Sequence, residues 1–160
     1  MTTKTTPLSP SPGDGRIGRL APVQELLARR PVWQVCYLAG ICAGILVEIW
    51  GLAARAAGVP MRAAGEGSHH ASPVTVGMFA LGVMVVTFWY TFAVVVMARF
   101  AKHPARTYLR ITLPLLVVSL AAPWTAADTA TSTKVTLAIA HLIAAAVIVP
   151  TVAKRLPRAR

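Results

Sequence analysis

The chain has 160 residues, 56% of them hydrophobic and 13% charged, with a formal net charge of +11 and a mean hydropathy of +0.62. So few charges exclude an ordinary water-soluble domain, which is about a quarter charged, and the roughly 80 to 90 residues that go into membrane spans leave no room for a large catalytic domain. A basic excess on a soluble protein would suit nucleic acid, but here the cations fall between apolar segments and no nucleic-acid partner is expected.

Residues 1–21 are rich in Thr, Ser, Pro and Gly. They have too little apolar surface to offset the entropy of ordering, so a disordered tail is expected. From Pro22 the stretch VQELLARR suits a short interfacial segment at the start of a membrane domain covering 22–156. The first span is expected over Trp33–Ala54, roughly 33 Å of helix against a hydrocarbon core of about 30 Å. Ala54-Arg55-Ala56 imitates a signal-peptide cleavage site, but the apolar run is too long and contains Glu48, so an uncleaved anchor is the reading.

Gly and Pro punctuate residues 58–73, the longer external loop. The second span, Val74–Ala98, is the most apolar, and Phe88, Trp89 and Tyr90 near its middle are expected to pack against other helices. A short basic turn leads to the third span, 107–124, with Pro104 at its opening, where a missing N–H costs nothing. Pro114 within it predicts a kink. Residues 124–133 form a polar connection in which Asp128 or Thr129 can cap the next helix. The fourth span covers 134–153, followed by a basic tail, 157–160. Short connections between four spans predict an all-α, antiparallel four-helix bundle integral to the membrane.

Lys4, Arg16, Arg19, Arg29 and Arg30 precede the first span; Arg99, Lys102, Arg106 and Arg110 lie at the second turn; Lys154, Arg155, Arg158 and Arg160 follow the fourth span. Only Arg55, Arg62 and Lys134 fall on the other side. The positive-inside rule then puts both termini in the cytoplasm of a bacterium, with the protein in its inner membrane and the cations against anionic lipid headgroups.

Glu48 is the most informative residue, since a carboxyl within a span costs roughly 2.5 to 3.5 kcal/mol on insertion scales and must find protein or water. On a helical wheel Gly40, Gly44, Glu48, Gly51 and Arg55 share one face, so the carboxyl lies on a glycine stripe suited to close helix packing. His141, seven residues from Lys134 as Glu48 is seven from Arg55, reaches a matching depth. A Glu48–His141 contact is therefore expected, with Asp128 as a third member. That contact can be a register-fixing hydrogen bond or a proton- and substrate-binding site; burial and pairing shift the two groups in opposite directions, and the residues do not decide between them.

His69 and His70, with Glu66 nearby, form a weak candidate for zinc or copper. Without a second ligand pair, no metal site is expected. Cys36 and Cys42 sit about 9 Å apart along one helix and cannot bridge. Haem would need a second axial ligand besides His141, and no cofactor is expected. Nucleotide-binding and nucleophile motifs are lacking, so the protein is read as a non-enzyme.

Pro123, the Ala/Asp/Thr-rich stretch through Asp128 and Thr131, and the Leu137-x-x-x-His141 step into an Ala-rich span carry a resemblance over Thr112–Val152. The segment resembles a family of four-span membrane proteins of unknown function from high-GC, actinobacterial-type bacteria. That likeness implies a four-helix membrane domain in which His141 recurs. The eight residues Gly44-Ile45-Leu46-Val47-Glu48-Ile49-Trp50-Gly51 look like the first helix of the small multidrug resistance transporters, which implies proton-coupled exchange through a lone glutamate. Two functions follow: a small helical scaffold or interaction subunit with a membrane-protein partner, or a proton-coupled small-molecule transporter that works as a homodimer through Glu48.

Overall fold

The computed structural model describes residues 30–64, 70–126 and 128–157. The expected tail over 1–21, the interfacial stretch through Arg29, Glu66, His69 and the tail from Arg158 lie outside the described residues. All elements belong to one compact unit, Pro31–Arg160. They are the helices α1 (Val32–Ala56), α2 (Met78–Phe100), α3 (Pro104–Thr125) and α4 (Thr131–Arg155), with a small antiparallel ladder of β1 (Arg62–Ala63) and β2 (Ser72–Pro73) between α1 and α2. Each helix is long and apolar enough to cross a membrane.

The helix limits follow from backbone chemistry. Pro31 holds an extended conformation and its carbonyl takes the Gln34 N–H at 3.1 Å, which starts α1. Gly58 ends it at φ +81, a left-handed conformation that costs glycine little, and donates its N–H to the Arg55 carbonyl at 2.9 Å. Pro104 opens α3, and the helix continues through Pro114 and Pro123.

Three expected starts shift by three residues or more, α3 beginning at Pro104 rather than 107. Helix α2 begins at Met78 rather than Val74, because the Val74 N–H donates to the Met61 carbonyl at 2.8 Å, its carbonyl accepts from Arg55, and Gly77 turns the chain at φ +88. Helix α4 begins at Thr131 after Ala130, which offers no side-chain cap. Asp128 and Thr129 do not cap it: Thr129 Oγ1 accepts the Ala64 N–H at 3.1 Å, and an Asp128 carboxylate oxygen lies 3.5 Å from the Ala71 nitrogen. Both residues tie the two loops together instead.

Contacts between neighbours run in opposite directions along each pair. Gly40 meets Thr87 and Gly51 meets Phe79 across α1 and α2, while Trp50 Nε1 donates to the Thr136 carbonyl of α4 at 3.1 Å. The bundle is thus antiparallel, with α1 packed along both α2 and α4, and α3 packed along α4. Its core is split in two. At the end bearing the α2–α3 turn, Cys36, Val94, Tyr108 and Val152 bring all four helices together. At the opposite end, which carries the ladder, Val47, Ala54, Met61, Phe79 and Ala140 pack without any residue of α3.

Phe88 and Trp89 correct another expectation. They stack edge-to-face on each other, centroids 5.4 Å apart, and both side chains point away from the bundle. Of the three central aromatics only Tyr90 turns inward, where its hydroxyl bonds to that of Tyr108. Both cysteines are free thiols, Cys36 buried and Cys42 exposed.

Candidate functional site

Glu48 projects from α1 toward the start of α2. Its carboxylate accepts the Gly77 N–H at 2.7 Å through Oε1 and the Ala80 N–H at 3.1 Å through Oε2. The first amides of a helix have no partner within it and carry the positive end of its dipole. Gly77, at the cap position, has no side chain to serve them. Glu48 therefore caps α2 from another helix, which explains how a half-buried carboxyl about 12 Å from the end of α1 is accommodated.

The glycine stripe creates the approach that this cap requires. A Cβ at Gly40 would stand 2.5 Å from Thr87 Cγ2, and one at Gly51 would stand 2.8 Å from the Phe79 ring, so both positions admit only hydrogen without a shift. Gly44 lies more loosely, with the Ala80 backbone 3.7 Å from where its Cβ would be. The Thr87 hydroxyl is buried without a hydrogen-bond partner among the described residues, another sign of how tightly α2 is drawn onto α1. Arg55 extends the same face and donates to the Val74 carbonyl.

His141 is not part of this arrangement. Its Nδ1 lies 2.8 Å from the carbonyl of Leu137, one turn earlier in α4. Among the described residues, Glu48 and His141 make no hydrogen bond with each other; the carboxylate is drawn to α2 and the imidazole to its own helix. Asp128 is exposed in the loop before α4, with its carboxylate near Ala71, so the expected three-residue cluster does not assemble. His70 is exposed in the first loop. Among the described residues there is no group of three or more His, Cys, Asp or Glu placed to hold a metal ion.

What the sequence reading missed is a crevice beside the cap. No residue of α3 joins the apolar cluster at the ladder end, and α2 and α4 face each other there across a cavity of about 300 Å³. Met78, Phe79, Gly82 and Val83 line one wall, Leu137, Ala140, His141 and Ala144 the other, and Val47 of α1 forms the floor. The apolar residues of the wall are indistinguishable from ordinary core in the sequence; Gly82, a glycine outside the α1–α2 stripe, was the available signal.

The fold and this site define a small antiparallel four-helix bundle with membrane-length apolar helices and one helix end capped by a carboxylate from its neighbour. A family model described as a family of unknown function (DUF6069) matches residues 27–158, and the chain belongs to that family. No curated protein and no solved structure matches the chain.

Proposed function

We propose that the protein is a multi-pass integral protein of the bacterial cytoplasmic membrane, with both termini in the cytoplasm, and that it serves as a small helical scaffold or interaction subunit rather than as an enzyme. The observation that carries this reading is the commitment of Glu48, the acid within the described helices, to the backbone amides of Gly77 and Ala80. A carboxylate held by a helix end fixes architecture, and the neighbouring crevice has walls too apolar for an ion route. Charge placement supports the orientation. Arg99, Lys102, Arg106, Arg110, Lys154 and Arg155 gather at the end of the α2–α3 turn, against Arg55, Arg62 and Lys134 at the other end, a bias that points the first group to the cytoplasm and to anionic lipid.

The competing reading is proton-coupled transport by a homodimer through Glu48. The partial exposure of that side chain favours it. Native mass spectrometry of protein released directly from membranes tests the scaffold reading, with an assembly heavier than one 16.9 kDa chain as the expected result. A monomer counts against it. Proton flux into proteoliposomes that disappears in Glu48→Gln would overturn it in favour of transport. Reporter fusions in the α1–α2 loop and after Arg160 are expected to report outside and inside, respectively.

A further inference from the structure

We propose that the crevice between α2 and α4 is a binding site for a membrane-soluble hydroquinone, held by a phenolic hydroxyl donated to His141 Nε2. The proposal rests on the membrane reading above and is independent of the scaffold role.

The imidazole of His141 is held in one orientation by its own helix. A carbonyl oxygen can only accept, so the 2.8 Å contact with Leu137 places the proton of a neutral ring on Nδ1. Nε2 is then an acceptor, and among the described residues no group donates to it. His141 is also the polar side chain of the crevice lining. An acceptor in an apolar recess calls for a ligand that is apolar over most of its surface and brings one donor.

Gly82 lines the same recess. Glycine inside a helix is less favourable than alanine, and at Gly40 and Gly51 that cost has a reason in close packing against α2. At Gly82 a Cβ would meet no atom within 4 Å. The missing side chain leaves the wall open instead of drawing a helix in.

Depth and wall chemistry select the class. His141 lies ten residues into α4, about 15 Å from the helix end, too deep for the charged headgroup of a phospholipid. Phe79 and Met78 in the wall favour a flat ring through aromatic edge and sulfur contacts. The cavity of about 300 Å³ is at the lower end of the small-molecule range. An oxidised quinone presents only carbonyl oxygens, which cannot bond to an accepting nitrogen, so the site is selective for the reduced form.

The test uses the full chain in phosphatidylcholine nanodiscs, with duroquinol, duroquinone and 1-decanol as probes and thermal unfolding as the readout, against empty nanodiscs. Duroquinol is expected to raise the unfolding temperature and to bind at least about fivefold tighter than duroquinone, the worth of one hydrogen bond. His141→Leu removes that preference, and Gly82→Leu, which fills the recess and leaves His141 intact, removes duroquinol binding. Equal binding of the two redox forms, 1-decanol binding as tight as duroquinol, or full duroquinol binding by Gly82→Leu would overturn the proposal. Retention of the same protein in membranes through alkaline carbonate separates a failed ligand from a failed membrane reading.

Discussion

Replacing Glu48 by Gln changes almost no volume and removes one of two acceptor oxygens at the start of α2. The remaining oxygen can serve Gly77 or Ala80 but not both, and the new NH2 group faces a donor. Of the two amides, the one at Ala80 is the more buried, so its loss governs the cost. One charge-assisted bond replaced by an amide without an acceptor costs about 1–3 kcal/mol, and loss of the negative charge at a helix N-terminus adds about 0.3–1 kcal/mol. The expected destabilisation is therefore about 1–4 kcal/mol. Glu48→Ala, which leaves both amides unserved, is worse, and Glu48→Asp, one methylene shorter, falls between. Unfolding in bicelles by titration with dodecyl sulfate measures the total, and hydrogen exchange at Gly77 and Ala80 locates it. A Glu48→Gln protein as stable as the parent, or one whose exchange rises equally in all four helices, would refute the assignment of Glu48 as the cap of α2.

Three further outcomes are expected. Gly40→Ala forces a methyl against Thr87 and destabilises by about 1–3 kcal/mol, with rescue by Thr87→Ala, whereas Gly44→Ala stays within about 0.5 kcal/mol because its nearest neighbour is at 3.7 Å; the same unfolding titration reads both. Tyr108→Phe loses the bond to the Tyr90 hydroxyl and a 3.4 Å contact with the Val149 carbonyl, costing about 1 kcal/mol, and a double-mutant cycle with Tyr90→Phe is expected to show coupling. Trp50→Phe removes the donor to the Thr136 carbonyl between α1 and α4, with a loss of about 1 kcal/mol in the same assay.

The four long apolar helices were legible because hydropathy over some twenty residues is a property of the sequence itself, and the α1–α2 stripe was legible because glycines four apart share a face. The partner of Glu48 was not. A search among side chains pairs a carboxyl with a cation or an imidazole, while the actual partners are amides of Gly77 and Ala80, which every residue has and no side chain advertises. Val74 and Val76 concealed the site further by extending the apolar run past the true start of α2. Phe88 and Trp89 were misplaced because apolar residues in lipid have no need of a core, so hydrophobicity alone does not say which way a membrane helix turns. The crevice depends on an absence, that of any α3 residue from the apolar cluster at the ladder end, and an absence has no sequence motif.

The position of α3 also has a meaning for biosynthesis. It has the lowest hydropathy of the four helices, 1.3 over its best window, two internal prolines, and packs mainly on α4, which the ribosome makes after it. A nascent chain can close α1 against α2 as soon as the first hairpin emerges, with Glu48 meeting its amides. The third segment must then wait, poorly held, until the fourth arrives. This interval is when a membrane insertase or quality-control protease would find the protein most vulnerable, and a chain truncated before Thr131 would be left in that condition permanently.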